Sequence, residues 1–342
     1  TSSSSSSKSA TDDGGGGGGD AAAGAMFESK CGEGESARGS GHSGGKGGAA
    51  PRGSWREIDM ADVRVGEQIG GGGFAIVYDG VWKKRRVALK TLFDPRADED
   101  VKKEFMDELY AMSCIEHPHI VSLYGACVKA PNFCMVMELC DSSLYQLLHV
   151  ERERLSERAI VDMGIQIASA LEYLHAQTPA IIHRDVKSHN VLIAAGNSVK
   201  LCDFGLVSTT VTAAGTPAYM APELLKNGLF SRKVDVYAFA MLMWEMVTGT
   251  VPYSTWDVRD IRDFVVEGNR LKLPHSGCPK QCTKLIERSW DQDAERRPDF
   301  SAIVRAMTRI KSTLREHTHL DEMAALSVDS FDALRDSVCS KK

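Results

Sequence analysis

The sequence predicts an α+β protein of two lobes, one small and built on strands, the other larger and mainly helical. Three observations carry this. Short β-branched runs separated by glycine or charged turns crowd the early part of the patterned region. Helical spacings dominate after it. One run, "VYAFAMLMWEMV" at 236–247, is apolar nearly all round, as a helix buried in a domain core would be. Strands first and helices afterwards favour segregated elements over alternating ones. A cleft between two such lobes is a favoured ligand site.

The chain has 342 residues, 43% hydrophobic, with a formal charge of −5. That is ample for one large domain or two lobes with their own cores. The mild acidity gives no reason to expect nucleic acid as a partner. No stretch approaches the ~18 uninterrupted apolar residues of a membrane span. Nine cysteines (31, 114, 127, 134, 140, 202, 278, 282 and 339) lie mostly inside apolar runs. An odd, scattered set reads as reduced thiols in a cytoplasmic or nuclear setting. Cys278 and Cys282 have the chemistry of metal ligands but no second Cys/His pair at zinc-site spacing, so structural thiols are the stronger reading. The chain starts at Thr1 rather than Met, so the lack of a signal peptide says little.

Residues 1–54 are serine- and glycine-rich and cannot bury enough apolar surface to offset the entropy of ordering. They read as a flexible arm. From Trp55 periodic patterns run to about Ile310, and a domain is expected over 55–311. Residues 312–342 carry Leu320, Met323, Leu326, Phe331 and Leu334 at loosely helical spacing, a short helical or flexible tail.

Strands are expected at 63–65, 76–82 and 85–92. Val101, Phe105, Leu109 and Met112 then mark one face of a helix. Ser156 is a candidate N-cap for a second helix with Ile160, Met163, Ile167, Leu171 and Leu174 as its stripe. Gly249 should stop the buried helix. The apolar runs on either side of "HRDVKSHN", at 181–182 and 191–193, suggest two short buried strands flanking a charged loop. That loop is either a solvated turn or a catalytic one.

Gly70 to Gly73 join two strands, and a tip without Cβ atoms lets backbone N–H groups approach phosphate oxygens. On the third strand Ala88 and Lys90 share a face. A buried lysine there needs an anionic partner, and Glu104 and Glu108 on the following helix are both candidates.

These residues together resemble a eukaryotic protein kinase of the Ser/Thr type. Gly70, Gly72 and Val77 match the glycine-rich loop, "VALK" the strand of the phosphate-anchoring lysine and "HRDVKSHN" the catalytic loop. "DFG" at 203–205 matches the metal-binding turn and "APE" at 221–223 the end of the activation segment. The order and spacings agree over about residues 62–311. The resemblance implies a bilobal fold: a small antiparallel β-sheet N-lobe with its C-helix at about 62–137, a hinge at 138–140 and a mainly α-helical C-lobe at 141–311.

It also implies roles. Lys90 would hold the α- and β-phosphates of ATP, with Glu108 rather than Glu104 as its partner. Asp185 would orient the substrate hydroxyl and take its proton, and Lys187 would steady the γ-phosphate. Asn190 and Asp203 would bind Mg²⁺. The nucleotide would lie under Ile69, Gly70, Gly71, Gly72, Gly73, Phe74 and Ala75. Val77, Ala88 and Leu192 would sandwich the adenine, beside the gatekeeper Met137 and the hinge Glu138 to Cys140. Met112, Leu123, His183 and Phe204 resemble the family's stacked regulatory column, anchored by Asp235, and Arg297 the arginine that pairs with Glu223. "GTPAYMAPE" and Lys187 resemble Ser/Thr-specific members. "VYDGVW", "HPHIVSLYGAC" and "DVYAFAMLMWEMVTG" resemble the tyrosine-kinase-like group, near the Raf-like and mixed-lineage kinases.

Two positions depart from the pattern. Ala75 stands where the third glycine is expected, which predicts a tightened loop. His119 stands where the family often has Asn. The activation segment, 203–223, is short but holds Ser208, Thr209, Thr210 and Thr212, with Thr216 placed to bridge Asp185 and Lys187. Arg184 precedes the catalytic Asp, so phosphorylation of the segment by an upstream kinase is an expected switch; four exposed hydroxyls in a flexible loop are the plain alternative. The expected partner is a protein substrate. The competing reading is a pseudokinase scaffold that binds nucleotide or partners without transfer. Losses at Lys90, Asp185 or Asp203 would favour it, and none is lost.

Overall fold

Val63–Gly71 (β1), Ala75–Trp82 (β2), Arg85–Leu92 (β3), Leu123–Lys129 (β4) and Asn132–Glu138 (β5) form an antiparallel sheet in the order β1-β2-β3-β5-β4. The computed structural model describes residues 55–71, 75–92, 99–129, 132–204, 215–227 and 231–314. Alternation along β3 divides its side chains between two faces. Val87 and Leu89 join Ile58, Trp82, Cys127, Cys134 and Val136 in a small outer cluster, while Ala88 belongs to the main core. β1 is longer than the three residues expected, because Gly70 and Gly71 continue the ladder opposite Val77 and Ile76. The strand is irregular near Gly66, where Asp79 Oδ1 accepts the Glu67 N–H at 2.6 Å. A Cβ on Gly66 would lie 2.1 Å from that oxygen, so the close approach requires glycine.

Helix α1 (Glu99–Ser113) packs Phe105, Leu109 and Met112 inward, the expected stripe, with Val101 only half-buried near its start. A three-stranded sheet follows, β6 (Ser142–Ser143), β7 (Val191–Ala194) and β8 (Ser198–Leu201), in that order. Around it lie α2 (Glu157–His175), α3 (Pro222–Asn227), α4 (Lys233–Thr248), α5 (Val258–Val266), α6 (Lys280–Ser289) and a helix over residues 300–314. None of the described helices is long and apolar enough to cross a membrane.

Two predicted helix signals appear as expected. Ser156 Oγ accepts the Ala159 N–H at 3.2 Å, capping α2, and the five-residue stripe of α2 is buried throughout. Every residue of α4 from Val234 to Met246 is buried. Gly249 ends it in the left-handed region (φ 62°), with its N–H on Glu245 O at 2.7 Å.

The strand expected at 181–182 is not formed, whereas that at 191–193 is part of β7. The Ile181 N–H turns back to Leu174 O at 3.0 Å. The next two donors that matter, the N–H groups of His183 and Arg184, go to the carboxylate of Asp235 at 2.9 and 2.8 Å instead of to a neighbouring strand. Apolar content signalled burial here, but a side-chain anchor took the place of a ladder.

Leu171 has no solvent exposure in the middle of α2. Leu171→Ala should therefore cost about 2–5 kcal/mol by leaving a cavity in the core. Chemical denaturation of the two proteins side by side reads this directly.

Candidate active site

The sheet register gathers one side of the cleft. Lys90 stands opposite Val77 on β2 and Met135 on β5, and Ala88 stands opposite Met137. From α1, Glu108 reaches the Lys90 ammonium with both oxygens, at 2.6 and 2.7 Å, and Asp203 Oδ1 lies 3.2 Å from it. Glu104 is exposed, so the structure chooses Glu108 between the two candidates. Burial alone would drive the Lys90 proton off, but the two carboxylates outweigh it and raise the pKa above the ordinary lysine value. Burial likewise disfavours ionised Asp203, yet the Lys90 charge and hydrogen bond hold its carboxyl below the usual range.

The charged loop forms the other side. The Asp185 carboxylate accepts from Lys187 Nζ at 2.6 Å and Asn190 Nδ2 at 3.0 Å on Oδ2, and from Thr216 Oγ1 at 3.0 Å on Oδ1. Thr216 in turn accepts from Lys187 Nζ at 2.9 Å, the bridge expected of it. The carboxylate is thus fixed in direction, as positioning of a reacting group requires.

Asp235 on α4 sets this loop in place. Besides the two backbone bonds already described, it takes His175 Nε2 at 2.8 Å. Burial would raise its pKa, but the His175 bond and charge, the His183 charge and the Arg184 N–H hold it low. The anchoring reaches further. His183 Nε2 lies 3.0 Å from Cys202 O, and its ring lies 5.1 Å from that of Phe204, so Asp203 is gripped on both sides. Cys202 N–H also donates to Asn190 O at 2.9 Å, tying the two proposed metal ligands together through the backbone. Arg184 and Asp203 both adopt left-handed backbone (φ 68° and 67°), which costs non-glycine residues of order 1–3 kcal/mol each and is sustained by this surrounding network.

The donor set fits Mg²⁺. The Asn190 amide nitrogen is spent on Asp185, which leaves its oxygen for other uses, and the Asp203 side chain is 45% exposed. Both are hard oxygen donors, and a Mg²⁺ site commonly takes only one or two protein oxygens beside phosphate and water. Among the described residues no three His, Cys, Asp or Glu side chains form a closed metal cage, Cys278 and Cys282 included.

Met137 is buried at the end of β5, and Glu138 begins the connection between lobes. Glu138 is held by Lys200 Nζ at 2.8 Å and the Ser122 N–H at 3.2 Å. The Cys140 thiol is pushed up to about 11, by burial first and then by the Glu138 charge. Leu192 is half-buried on β7 and Ile69 exposed on β1. Ala75 stands in the ladder opposite Leu92, an extended position that does not call for glycine. Gly72, Gly73, Phe74, Ser208, Thr209, Thr210 and Thr212 lie outside the described residues. His119, the second departure, places Nδ1 3.2 Å from Val199 O and accepts the Leu201 N–H on its carbonyl at 2.9 Å. Arg297 Nη1 and Nη2 meet the two oxygens of Glu223 at 2.7 and 2.8 Å, the pairing expected.

Sequence reasoning missed Glu245. This fully buried carboxylate of α4 accepts from His149 Nε2, Ser188 Oγ and Tyr219 OH, each at 2.7 Å. Burial still raises its pKa above the ordinary value despite those donors. It joins the charged loop to the segment after Thr216. The available signal was an acidic residue inside the nearly all-apolar run 236–247, where a buried charge must have partners.

Comparison with known proteins now bears on this arrangement. Residues 63–307 match the family described as "Protein tyrosine and serine/threonine kinase". The chain is 36% identical over 304 residues to mouse mitogen-activated protein kinase kinase kinase 10, covering 82% of this chain and 32% of that protein. The human protein of that name is 36% identical over 313 residues, 84% and 33% covered. A probable serine/threonine-protein kinase of Dictyostelium discoideum is 37% identical over 263 residues, 74% and 28% covered. The chain thus spans about a third of the length of these relatives.

Because the folded pKa of Asp235 is held below the ordinary value of an aspartate, about 3.9, its contribution to stability is present above about pH 4 and is lost as pH falls through the lower folded value. Asp235→Asn should lower the melting temperature at neutral pH and flatten the acid limb of a melting-temperature profile. An unchanged acid limb would assign that limb to other carboxylates.

Proposed function

This chain belongs to the protein tyrosine and serine/threonine kinase family, and from that premise we propose that it transfers the γ-phosphate of ATP to serine and threonine hydroxyls of protein substrates. The observation that carries the reading is the joint between Asp185, Lys187, Asn190 and Thr216, facing an intact Lys90–Glu108–Asp203 group. Phosphoryl transfer needs positioning and charge neutralisation more than covalent chemistry, and these residues provide both. Lys90, its ammonium fixed by Glu108, would hold the α- and β-phosphates. Met137, Glu138 and Cys140 would receive the adenine, with Val77, Ala88 and Leu192 on its faces. Asp185 would orient the substrate hydroxyl and take its proton as the oxygen attacks. Lys187 would balance charge on the γ-phosphate. Asn190 and Asp203 would hold Mg²⁺, which when bound neutralises phosphate charge.

The Thr216 bridge and the serine/threonine kinases among the relatives support the choice of hydroxyl. The name of the mouse relative, mitogen-activated protein kinase kinase kinase 10, makes another protein kinase the first substrate to try. The reduced-thiol cysteine pattern supports work inside the cell, in cytoplasm or nucleus. The hydroxyls of Ser208, Thr209, Thr210 and Thr212, between the "DFG" and "APE" motifs, together with Arg184 beside Asp185, support control by phosphorylation from an upstream kinase.

Purified protein should phosphorylate itself or a generic Ser/Thr substrate, and Asp185→Asn should cut the rate by about 10²- to 10⁴-fold while ATP still binds. Equal rates in both proteins, or ATP binding without transfer by an activated wild type, would overturn the reading. Replacing Ser208, Thr209, Thr210 and Thr212 together with Ala should prevent activation by phosphorylation while leaving ATP affinity in place; a phosphopeptide map taken with the activity assay checks this.

A further inference from the structure

The phosphotransfer chemistry leaves one strongly charged region unused. Trp82 ends β2, Arg85 begins β3, and the two residues that join them are lysines. Lys83 and Lys84 both take positive φ, 49° and 67°. A two-residue hairpin commonly has this at both central positions, and Asn-Gly is the pair that meets it most easily. Two lysines meet it at a steric cost. Strain kept in a surface turn is the kind of outlier that accompanies function.

The strands extend the charge around that turn. Lys83, Lys84, Arg85 and Arg86 are consecutive and all exposed. Lys83 Nζ lies 4.9 Å from the centre of the Trp82 ring, and the Arg56 guanidinium lies 5.8 Å from it. The Arg85 guanidinium lies 4.9 Å from the Tyr124 ring, which stacks on Trp82 at 6.5 Å. Two aromatic rings thus hold three cations in place. Val81 stands opposite Arg64 on β1 and Arg86 on β3, so basic residues flank it on both neighbouring strands. Among the described residues, Arg86 is the only one of these bases in an ion pair, 3.5 Å from Asp79. The others keep their charge unspent on a chain whose formal charge is −5.

The form of the region narrows its partner. Trp82 lies beneath the cations with 7% exposure, so the turn offers charge and no aromatic anchor. The backbone on either side is paired, Trp82 with Arg85 and Val81 with Arg86, which leaves no free strand edge for a peptide. Clustered cations without a pocket or an edge suit a broad sheet of phosphates, and guanidinium forks match phosphate oxygens.

We propose that the 82–86 turn, with Arg56 and Arg64, docks this chain on an anionic phospholipid surface. The contact is peripheral and electrostatic, so it weakens as salt rises. Gly71 and Ala75 lie at the opposite end of the β1–β2 pair, so docking leaves the glycine-rich end free.

The test mixes purified full-length chain with vesicles of phosphatidylcholine alone, or of phosphatidylcholine with about a quarter phosphatidylserine, and sediments them. The expected result is binding to the anionic vesicles only, lost at high salt. Lys83→Asn combined with Lys84→Gly removes two charges and installs the pair that the turn favours. This variant should bind anionic vesicles about tenfold more weakly or worse, yet melt no lower than wild type. No binding to anionic vesicles at low salt, equal binding to both kinds of vesicle, or equal binding by variant and wild type overturns the proposal. So does tighter binding of soluble poly-glutamate through the same residues, which would assign the turn to an acidic protein partner.

Discussion

Asp235 is a carboxylate without solvent exposure, and the site depends on how it is satisfied. A charge at that depth is costly unless hydrogen-bonded on every side. The available donors are the backbone of His183 and Arg184 and the ring of His175. Meeting the demand of one buried oxygen pair therefore draws the charged loop onto the central helix. His183 carries the constraint on to Cys202, and so to Asp203, by a second polar bond. Asp185 and Asp203 are eighteen positions apart in sequence, yet both are placed from the same turn of α4.

Glu245, further along α4, works in the same way on a different set of partners. Its three donors come from the turn at 146–150, the charged loop and the segment after Thr216. A helix buried on all sides would pack equally well at several rotations if it were wholly apolar. Two carboxylates with fixed partners leave it one. The apolar surface gives α4 its depth, and the polar exceptions give it an orientation.

Much of this was legible in sequence because it follows from period and side-chain chemistry. Alternation placed Ala88 and Lys90 together; the spacing left Glu104 and Glu108 both open as partners, and the family resemblance chose Glu108. Motif resemblance then named Asp185, Asn190, Asp203 and Thr216, and the geometry brings them together. What stayed hidden depends on contacts between distant segments. Residues 181–182 looked like a strand because apolar content reports burial without saying which partner takes the backbone donors. Glu245 and His175 were passed over because a charge in a helix looks solvated until its neighbours are known.

Lys90 holds its proton more tightly than a lysine in water, because Glu108 and Asp203 more than compensate for burial. That fixes what it can contribute. It is a countercharge of constant sign and a poor acid near neutral pH. Under the proposed function, a proton leaving an attacking hydroxyl would go instead to Asp185 in the charged loop. The Lys90 countercharge thus ties two distant parts of the fold, Glu108 on α1 and Asp203 just beyond β8, so a shift of α1 that parted Glu108 from Lys90 would loosen the hold on that charge.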